Sequence, residues 1–158
     1  MFEVTQETHI ARSPAQVWDV LANFERYEQW SPYVRPKGSP EQGKEIDYSF
    51  RMNPANPRFW PVTAIVSEWE PCAKLGFDVR LNWMLTIEER FVLEPAAGGT
   101  RLVHSFRCRG LLARLRLSKA RRNFKEILNE TDRLLTRYLS RPANKPVLSA
   151  KPKRKGRR

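Results

Sequence analysis

Glu89 and His104 are the residues of this sequence whose type and placement best suit chemistry. Each stands among apolar residues on one face of a predicted strand, and pairing of the two strands makes them diagonal neighbours. Because a buried carboxylate without a partner is costly or takes up a proton, we expect the two side chains to hydrogen-bond. Such a pair can orient a ligand carbonyl or hydroxyl, or act as acid and base. Two structural alternatives stay open: a mutually satisfied pair, or a register one residue off with both side chains facing water.

A β-hairpin positions these two residues. Its strands are predicted over 85–94 and 100–109, and the sequence Ala-Ala-Gly-Gly at 96–99 is typical of a turn. Opposite charges on one face and mainly apolar pairs on the other favour a single register. The pairs that this register predicts are Leu93–Leu102, Phe91–His104, Glu89–Phe106, Ile87–Cys108, Glu94–Arg101 and Glu88–Arg107.

Alternating apolar residues predict the other strands of the same sheet. They cover residues 2–10, 44–52, 59–70 and 73–81. The last two form a hairpin, in which Val66 is expected opposite Phe77, Ala64 opposite Val79 and Val62 opposite Leu81. One face of this hairpin is then continuously apolar.

Helices are predicted at three places. Ser13 and Gln16 form a capping box around Pro14, which opens a short helix ending near residue 23. Residues 24–30 suggest a second short helix. Apolar residues at helical spacing over 117–138 predict a long amphipathic helix. The fold class is therefore α+β: an antiparallel meander with two short helices after the first strand and one long C-terminal helix.

Composition excludes several classes of protein. The 158 residues suit one domain, predicted over 1–140. The sequence contains no apolar run long enough to span a bilayer and no secretory leader pattern, so we expect a cytoplasmic protein. Two cysteines and two histidines make a disulfide framework, a metal site or a histidine-based triad improbable. No cofactor is expected, because the sequence contains no glycine-rich phosphate loop and no metal-ligand spacing.

Three segments resemble those of a known superfamily. Residues 27–33, YEQWSPY, resemble its "YPEWNPF" segment, and 67–71, SEWEP, resemble its strand-ending "E-x-x-P" turn. Residues 91–95 with 99–104 resemble its "F-x-L-x-P…G-T-R-L/V" hairpin. This is the SRPBCC superfamily, the START-like and polyketide cyclase/dehydrase group, and the resemblance spans about residues 3–140. It implies a helix-grip fold, in which a curved sheet wraps around the C-terminal helix.

The resemblance also implies a cavity between sheet and helix that binds hydrophobic small molecules or lipids. Members of the group are binders or carriers, or else cyclases, aromatases or dehydratases, and the shared motifs carry over no catalytic residue. The alternative is a dense core without a cavity. The residues expected to line the cavity are Tyr48, Phe50, Trp60, Val62, Phe77, Val79, Trp83, Phe91, Phe106, Phe124, Ile127 and Leu128.

Basic residues concentrate in the last third of the chain. Residues 1–109 contain 13 Lys/Arg and 14 Asp/Glu, whereas residues 110–158 contain 16 and 3. We expect residues 141–158 to form a disordered tail. Such clusters attract phosphates of anionic lipid or nucleic acid, and a solubilising tail is the alternative. The residues expected to contact an anionic surface are Arg114, Arg116, Lys119, Arg121, Arg122 and Lys125.

Three functions are compatible with these patterns. The favoured one is a non-catalytic or weakly catalytic domain that binds, and in one version transports, a hydrophobic molecule or lipid, with peripheral contact to an anionic membrane. The second is a polyketide cyclase-, aromatase- or dehydratase-like enzyme that uses Glu89 and His104. The third is a protein that associates with RNA or the ribosome through its basic C-terminal segment. The identity of the ligand and the oligomeric state stay open.

Overall fold

A computed structural model of the chain describes residues 1–111, 113 and 118–142. Seven strands, two α-helices and one 3₁₀ helix follow one another along this part of the chain. In order, they are β1 (Phe2–Ile10), α1 (Pro14–Leu21), a 3₁₀ helix (Phe24–Gln29), β2 (Val34–Lys37), β3 (Glu45–Phe50), β4 (Trp60–Glu70), β5 (Lys74–Asn82), β6 (Leu85–Ala96), β7 (Gly99–Arg109) and α2 (Ser118–Leu139).

All seven strands form one open antiparallel sheet in the order β1-β7-β6-β5-β4-β3-β2. The helix α2 packs mainly against β1 and β7, at one side of the sheet. The predicted α+β class and helix-grip arrangement are confirmed. Because α2 lies closer to β1 and β7 than to the strands at the other end of the sheet, space is left between the helix and β3, β5 and β6.

The predicted register of the second hairpin is confirmed at all six pairs, from Ile87–Cys108 to Glu94–Arg101. In the first hairpin, Ala64–Val79 and Val66–Phe77 are also confirmed. The third predicted pair, Val62–Leu81, is absent from this ladder, because the pairing of β4 with β5 begins at Ala64 and Val79. The apolar face extends across both hairpins and contributes most of the core.

The short strand β2 is a feature that the sequence patterns did not predict. Its four residues pair with β3, with Val34 opposite Phe50 and Lys37 opposite Asp47. The start of α1 follows the prediction, because the Ser13 side chain accepts from the Gln16 backbone and the Gln16 side chain accepts from the Ser13 backbone. The 3₁₀ helix lies between these two elements and buries Phe24 and Tyr27.

The long helix α2 buries one stripe of side chains against the sheet. This stripe includes two polar residues, Thr131 and Asp132, between the apolar Leu128 and Leu135. The predicted start at Leu117 lies outside the described residues, as do residues 143–158 of the predicted tail. No helix in the described part of the chain is long and apolar enough to cross a membrane.

Candidate functional site: a buried polar chain beside an apolar cavity

Glu89 and His104 meet in the core, as their diagonal placement predicts. His104 Nε2 lies 3.1 Å from Glu89 Oε1. The side chains are enclosed, with 2% of Glu89 and none of His104 exposed. The alternative register, which would turn both toward water, is therefore wrong. Strand β6 supplies the glutamate and β7 the histidine.

Asp132 of α2 joins this pair from the helix. Its Oδ1 lies 2.7 Å from His104 Nδ1, and its Oδ2 accepts a 2.9 Å hydrogen bond from Thr8 Oγ1 on β1. Asp132 is 1% exposed. Since carboxylate oxygens face both imidazole nitrogens, both contacts are hydrogen bonds when both nitrogens carry protons. The geometry therefore favours an imidazolium held between two carboxylates.

The environment of His104 favours its charged form. Burial by itself disfavours the imidazolium, but the charges and hydrogen bonds of Asp132 and Glu89 outweigh it and raise the pKa of His104 from 6.5 to about 9. The ring also stacks on Phe91, with centroids 4.0 Å apart. An aromatic face beside a cation adds a favourable electrostatic contact. His104 is thus a cation at neutral pH and offsets part of the charge of its two neighbours.

Tyr48 extends the chain to the cavity. Its hydroxyl donates a 2.7 Å hydrogen bond to Glu89 Oε2. Burial, followed by the nearby Glu89 charge and this hydrogen bond, raises the pKa of Tyr48 well above 10. The phenol therefore stays protonated and remains a donor. A continuous polar chain runs through the core, from Thr8 through Asp132, His104 and Glu89 to Tyr48.

An apolar cavity of about 40 Å³ lies where this chain ends. Glu89 and Tyr48 are part of its wall, whereas His104 and Asp132 lie behind that wall. The cavity is lined by Tyr33, Val34, Tyr48, Phe50, Arg51, Met52, Val79, Leu81, Ile87, Glu89, Phe106, Phe124 and Ile127. A space of this size holds a few water molecules. It is smaller than the roughly 300–1,000 Å³ of a typical ligand pocket.

The predicted lining residues fall into three groups. Those that line the cavity are Tyr48, Phe50, Val79, Phe106, Phe124 and Ile127. Those that pack in or against the core without lining the cavity are Val62, Phe77, Phe91 and Leu128. The remaining two, Trp60 and Trp83, are exposed at 53% and 84%, so their placement on the cavity wall was wrong.

The two tryptophans are exposed because each lies where its strand ends. Trp60 is the first residue of β4, and the Arg58 guanidinium stacks on its ring 4.9 Å from the centroid. Trp83 lies in the turn between Asn82 and Leu85, so its ring is not aligned with the face of either strand. A period of two predicts the face of a residue inside a strand, but not at a turn.

The cavity also has lining residues that sequence reasoning missed. Val34 lies in the unpredicted β2 and Tyr33 directly precedes it. Leu81 and Ile87 were assigned to strands without being assigned to the cavity. Asp132 was not predicted, because the amphipathic pattern of the C-terminal helix does not distinguish a buried carboxylate from an exposed one. Its position four residues after Leu128 was the available signal.

The predicted basic surface is described only in part. Lys119, Arg121, Arg122 and Lys125 are exposed on the first turns of α2, and none of the four makes a salt bridge with a described residue. Arg114 and Arg116 lie outside the described residues. Among the described residues, no group of three or more His, Cys, Asp or Glu side chains is arranged to hold a metal ion.

Comparison with known proteins identifies a family that the chain matches. Residues 1–139 match the family described as polyketide cyclase / dehydrase and lipid transport. No curated protein sequence matches the chain.

Solved structures share the fold at low sequence identity. A START superfamily protein from Mycobacterium smegmatis is 14% identical, with a TM-score of 0.69 over 87% of this chain and 96% of that one. A Rhodobacter sphaeroides protein is 21% identical, with a TM-score of 0.66 over 87% and 91%. A Mesorhizobium loti protein is 18% identical, with a TM-score of 0.64 over 86% and 98%.

Proposed function

Because the chain belongs to the polyketide cyclase/dehydrase and lipid transport family, we propose that it binds a hydrophobic small molecule or lipid in the cavity between sheet and α2. The observation that carries the proposal is an apolar cavity whose wall contains one oriented polar pair, Glu89 and Tyr48. Ligand sites commonly combine a mostly apolar wall with a few placed polar groups. Transport of the bound molecule between surfaces is the broader version of this proposal.

The polar pair selects a ligand that carries a hydroxyl or carbonyl group. The carboxylate of Glu89 accepts hydrogen bonds, and its two oxygens are held by His104 and Tyr48 at 3.1 and 2.7 Å. A ligand hydroxyl donates to a remaining lone pair of this carboxylate, and the oxygen of a ligand hydroxyl or carbonyl accepts from a reoriented Tyr48 hydroxyl. The buried chain behind the wall, through Asp132, fixes the carboxylate in place.

Binding of a larger ligand requires the cavity to widen, and Phe124 is the side chain best placed to allow this. Phe124 lies on the second turn of α2 and is half-buried. Its ring contacts Phe106 and Phe2, with centroids 5.2 and 6.0 Å apart. Rotation of this ring enlarges the cavity without breaking any hydrogen bond of the polar chain.

A calorimetric titration with 1-octanol tests the proposal. We expect saturable binding of one molecule per chain, weakened about fivefold to tenfold in Tyr48→Phe, since one hydrogen bond is worth about 1 kcal/mol. Tyr27→Phe is the matched control, because Tyr27 is also buried and donates a 2.6 Å hydrogen bond to Leu21 O, away from the cavity. Equal affinities in all three proteins would refute the role of Tyr48, and no saturable binding in any of them would refute the proposed function.

A cyclase- or dehydratase-like enzyme is the second candidate, and the Glu89–His104–Asp132 chain is the observation that favours it. In this version Glu89 is the group that touches substrate, because it lines the cavity. His104 acts only through Glu89, since the imidazole is fully enclosed with both nitrogens bonded. Ligand binding alone requires no proton transfer, whereas an enzyme of this type must transfer a proton to or from the Glu89 carboxylate.

Glu89→Gln separates the two candidates. The amide keeps the shape of the side chain and can still accept from Tyr48, but it cannot take up and release a proton. An enzyme of this type loses turnover of a polyketide substrate by about 100-fold or more while it retains affinity for the product. A binder shows a change in affinity alone.

Contact with an anionic membrane is a further part of the proposal, supported by the exposed basic residues on the first turns of α2. Each such residue adds about 1 kcal/mol near an anionic surface. Sedimentation with vesicles that contain phosphatidylserine should fall when Lys119, Arg121, Arg122 and Lys125 are all changed to Gln. Binding to RNA in place of vesicles would favour the alternative of an RNA- or ribosome-associated protein.

A further inference from the structure

A second cleft, outside the apolar cavity, is lined by four arginines. Its volume is about 280 Å³, and it lies between the end of α2 and the segment from the 3₁₀ helix to β2. Arg35 comes from β2, Arg51 follows β3, Arg137 lies on the last turn of α2, and Arg141 follows that helix. Three separate parts of the chain therefore contribute arginines to its lining.

The positive charge of this cleft is not matched by salt bridges within the described residues. None of the four arginines makes a salt bridge within the described part of the chain, where Arg90, Arg101, Arg107, Arg109 and Arg133 all do. The one carboxylate of the cleft lining is Glu28, and it is not within salt-bridge distance of any of them. Four like charges in one cleft repel one another, so a bound anion would stabilise the arrangement.

Arg35 and Arg51 are both held against Phe59 by contacts other than salt bridges. Both guanidinium groups stack on the Phe59 ring, with their carbons 4.8 and 4.5 Å from its centroid. Arg35 Nη1 donates to the carbonyl oxygens of Ser31 and Val34, and Arg51 donates from Nε to Pro32 O at 2.6 Å and from Nη1 to Asn56 O at 3.0 Å. The Nη2 atoms have no acceptor among the described residues. These contacts orient the two arginines and leave donors free.

Burial and the neighbouring charge of Arg51 also affect Arg35. They lower its pKa from the usual value of a guanidinium, and the charge of Glu28 opposes this effect. Trp30, another residue of the cleft wall, is 4% exposed, and its indole Nε1 has no hydrogen-bond partner within the described structure. A buried donor without an acceptor is uncommon in a folded protein. The cleft thus contains an excess of donors and of positive charge, as an anion site requires.

Arg51 belongs to both the cleft and the apolar cavity. It lines the cavity together with Phe50 and Met52, and it lines the cleft together with Arg35. A molecule with its apolar chain in the cavity would thus meet a guanidinium where that chain leaves the protein. Arg51 is the lining residue that the two spaces share, so a ligand that occupied both would pass this side chain.

We propose that the arginine cleft binds the oxyanion headgroup, a carboxylate or a phosphate, of the ligand whose apolar chain occupies the cavity. This inference rests on the proposed function and names the class of its ligand as an amphipathic anion. The position of Arg137 and Arg141 at the end of α2 also complements the helix dipole. That effect does not account for Arg35 and Arg51, which belong to β2 and the loop after β3.

Calorimetric titration of the full chain with octanoate, octyl phosphate, octanol and inorganic phosphate tests this inference. We expect at least one of the two anionic amphiphiles to bind about tenfold more tightly than octanol, because hydrogen bonds to charged groups are the stronger ones. This advantage should shrink when the salt concentration is raised from about 0.05 to about 0.5 M. Whether octanoate or octyl phosphate binds more tightly identifies the headgroup.

A double substitution with a matched control assigns the effect to the cleft. Arg137→Gln with Arg141→Gln removes two charges, and no hydrogen bond or salt bridge of either guanidinium is present in the described structure. Arg26→Gln with Arg80→Gln removes the same charge from two exposed positions that line neither the cleft nor the cavity. We expect the first pair to abolish the advantage of the anionic amphiphiles over octanol and the second pair to retain it.

Two results would overturn the inference. One is equal affinity for octanol and both anionic amphiphiles, which leaves the proposed function intact if octanol itself binds. The other is binding of inorganic phosphate as tight as that of octyl phosphate, which would make the cleft a site for free phosphate. Loss of octanol binding, by contrast, is a failure of the proposed function itself.

Discussion

The stability of this protein should fall as the pH rises from about 6.5 to 9, because His104 is held as a cation in the folded core. The unfolded chain releases the imidazole proton near pH 6.5, whereas the folded protein retains it until about pH 9. Below pH 6.5 both states hold the proton, and the stabilising effect is complete. Between the two values the folded state alone holds the proton, and above pH 9 the effect is lost.

The size of this effect follows from the difference between the two pKa values. A rise from 6.5 to about 9 corresponds to a loss of about 3 kcal/mol in the free energy of unfolding. Small domains are stable by only about 5–15 kcal/mol, so the change is large enough to measure. Tyr48 affects the pH dependence of stability only above this pH range, since burial raises its pKa well above 10.

Urea denaturation followed by tryptophan fluorescence, at several values between pH 6 and 9.5, measures this loss. His104→Gln should give a flat profile, and His9→Gln should keep the slope, because His9 is exposed and its ring hydrogen-bonds to Ala97 O at 3.0 Å, away from the buried chain. A wild-type stability that stays constant or increases over this range would refute the buried imidazolium. An equal slope in His104→Gln would assign the effect to other groups.

Three further predictions concern the residues around this chain. Asp132→Asn should lower the free energy of unfolding by about 3 kcal/mol at pH 6 and by less at pH 9.5, because it leaves a buried cation with one carboxylate partner. Equal losses at the two pH values would contradict this explanation. Leu128→Ala should lower the free energy of unfolding by about 2–5 kcal/mol in urea denaturation, since Leu128 is fully buried in the core. Leu111→Ala, at an exposed position, should lower it by less than about 0.5 kcal/mol. Phe124→Ala should enlarge the cavity and tighten octanol binding in calorimetry, and weaker binding would exclude Phe124 as the side chain that limits the space.

The sequence predicted the second hairpin in full because two independent patterns agree there. Glu88 and Glu94 pair with Arg107 and Arg101 on one face, while mainly apolar residues pair on the other, and a slip of one residue would break both patterns. The same register placed Glu89 near His104. This part of the candidate site was therefore predictable from local alternation alone.

Other parts of the site depend on contacts between distant elements. Tyr48 reaches Glu89 across 41 positions of sequence, and Asp132 reaches His104 from a helix that packs over the sheet. No periodicity within one element encodes such contacts. Strand β2 was missed for a different reason, because four residues that include Pro36 are too short to show an alternation. Without β2, the positions of Arg35 and Arg51 could not be related to each other.

Methyl NMR spectroscopy of the full chain during titration with 1-octanol tests the central claim most directly. If the ligand occupies the cavity, the methyl signals of its lining residues Val79, Ile87 and Ile127 should shift and saturate together, while those of the core residues Leu75 and Leu102 change little. Shifts that do not saturate, or that leave these three residues unchanged, would contradict the claim that this cavity binds a hydrophobic ligand.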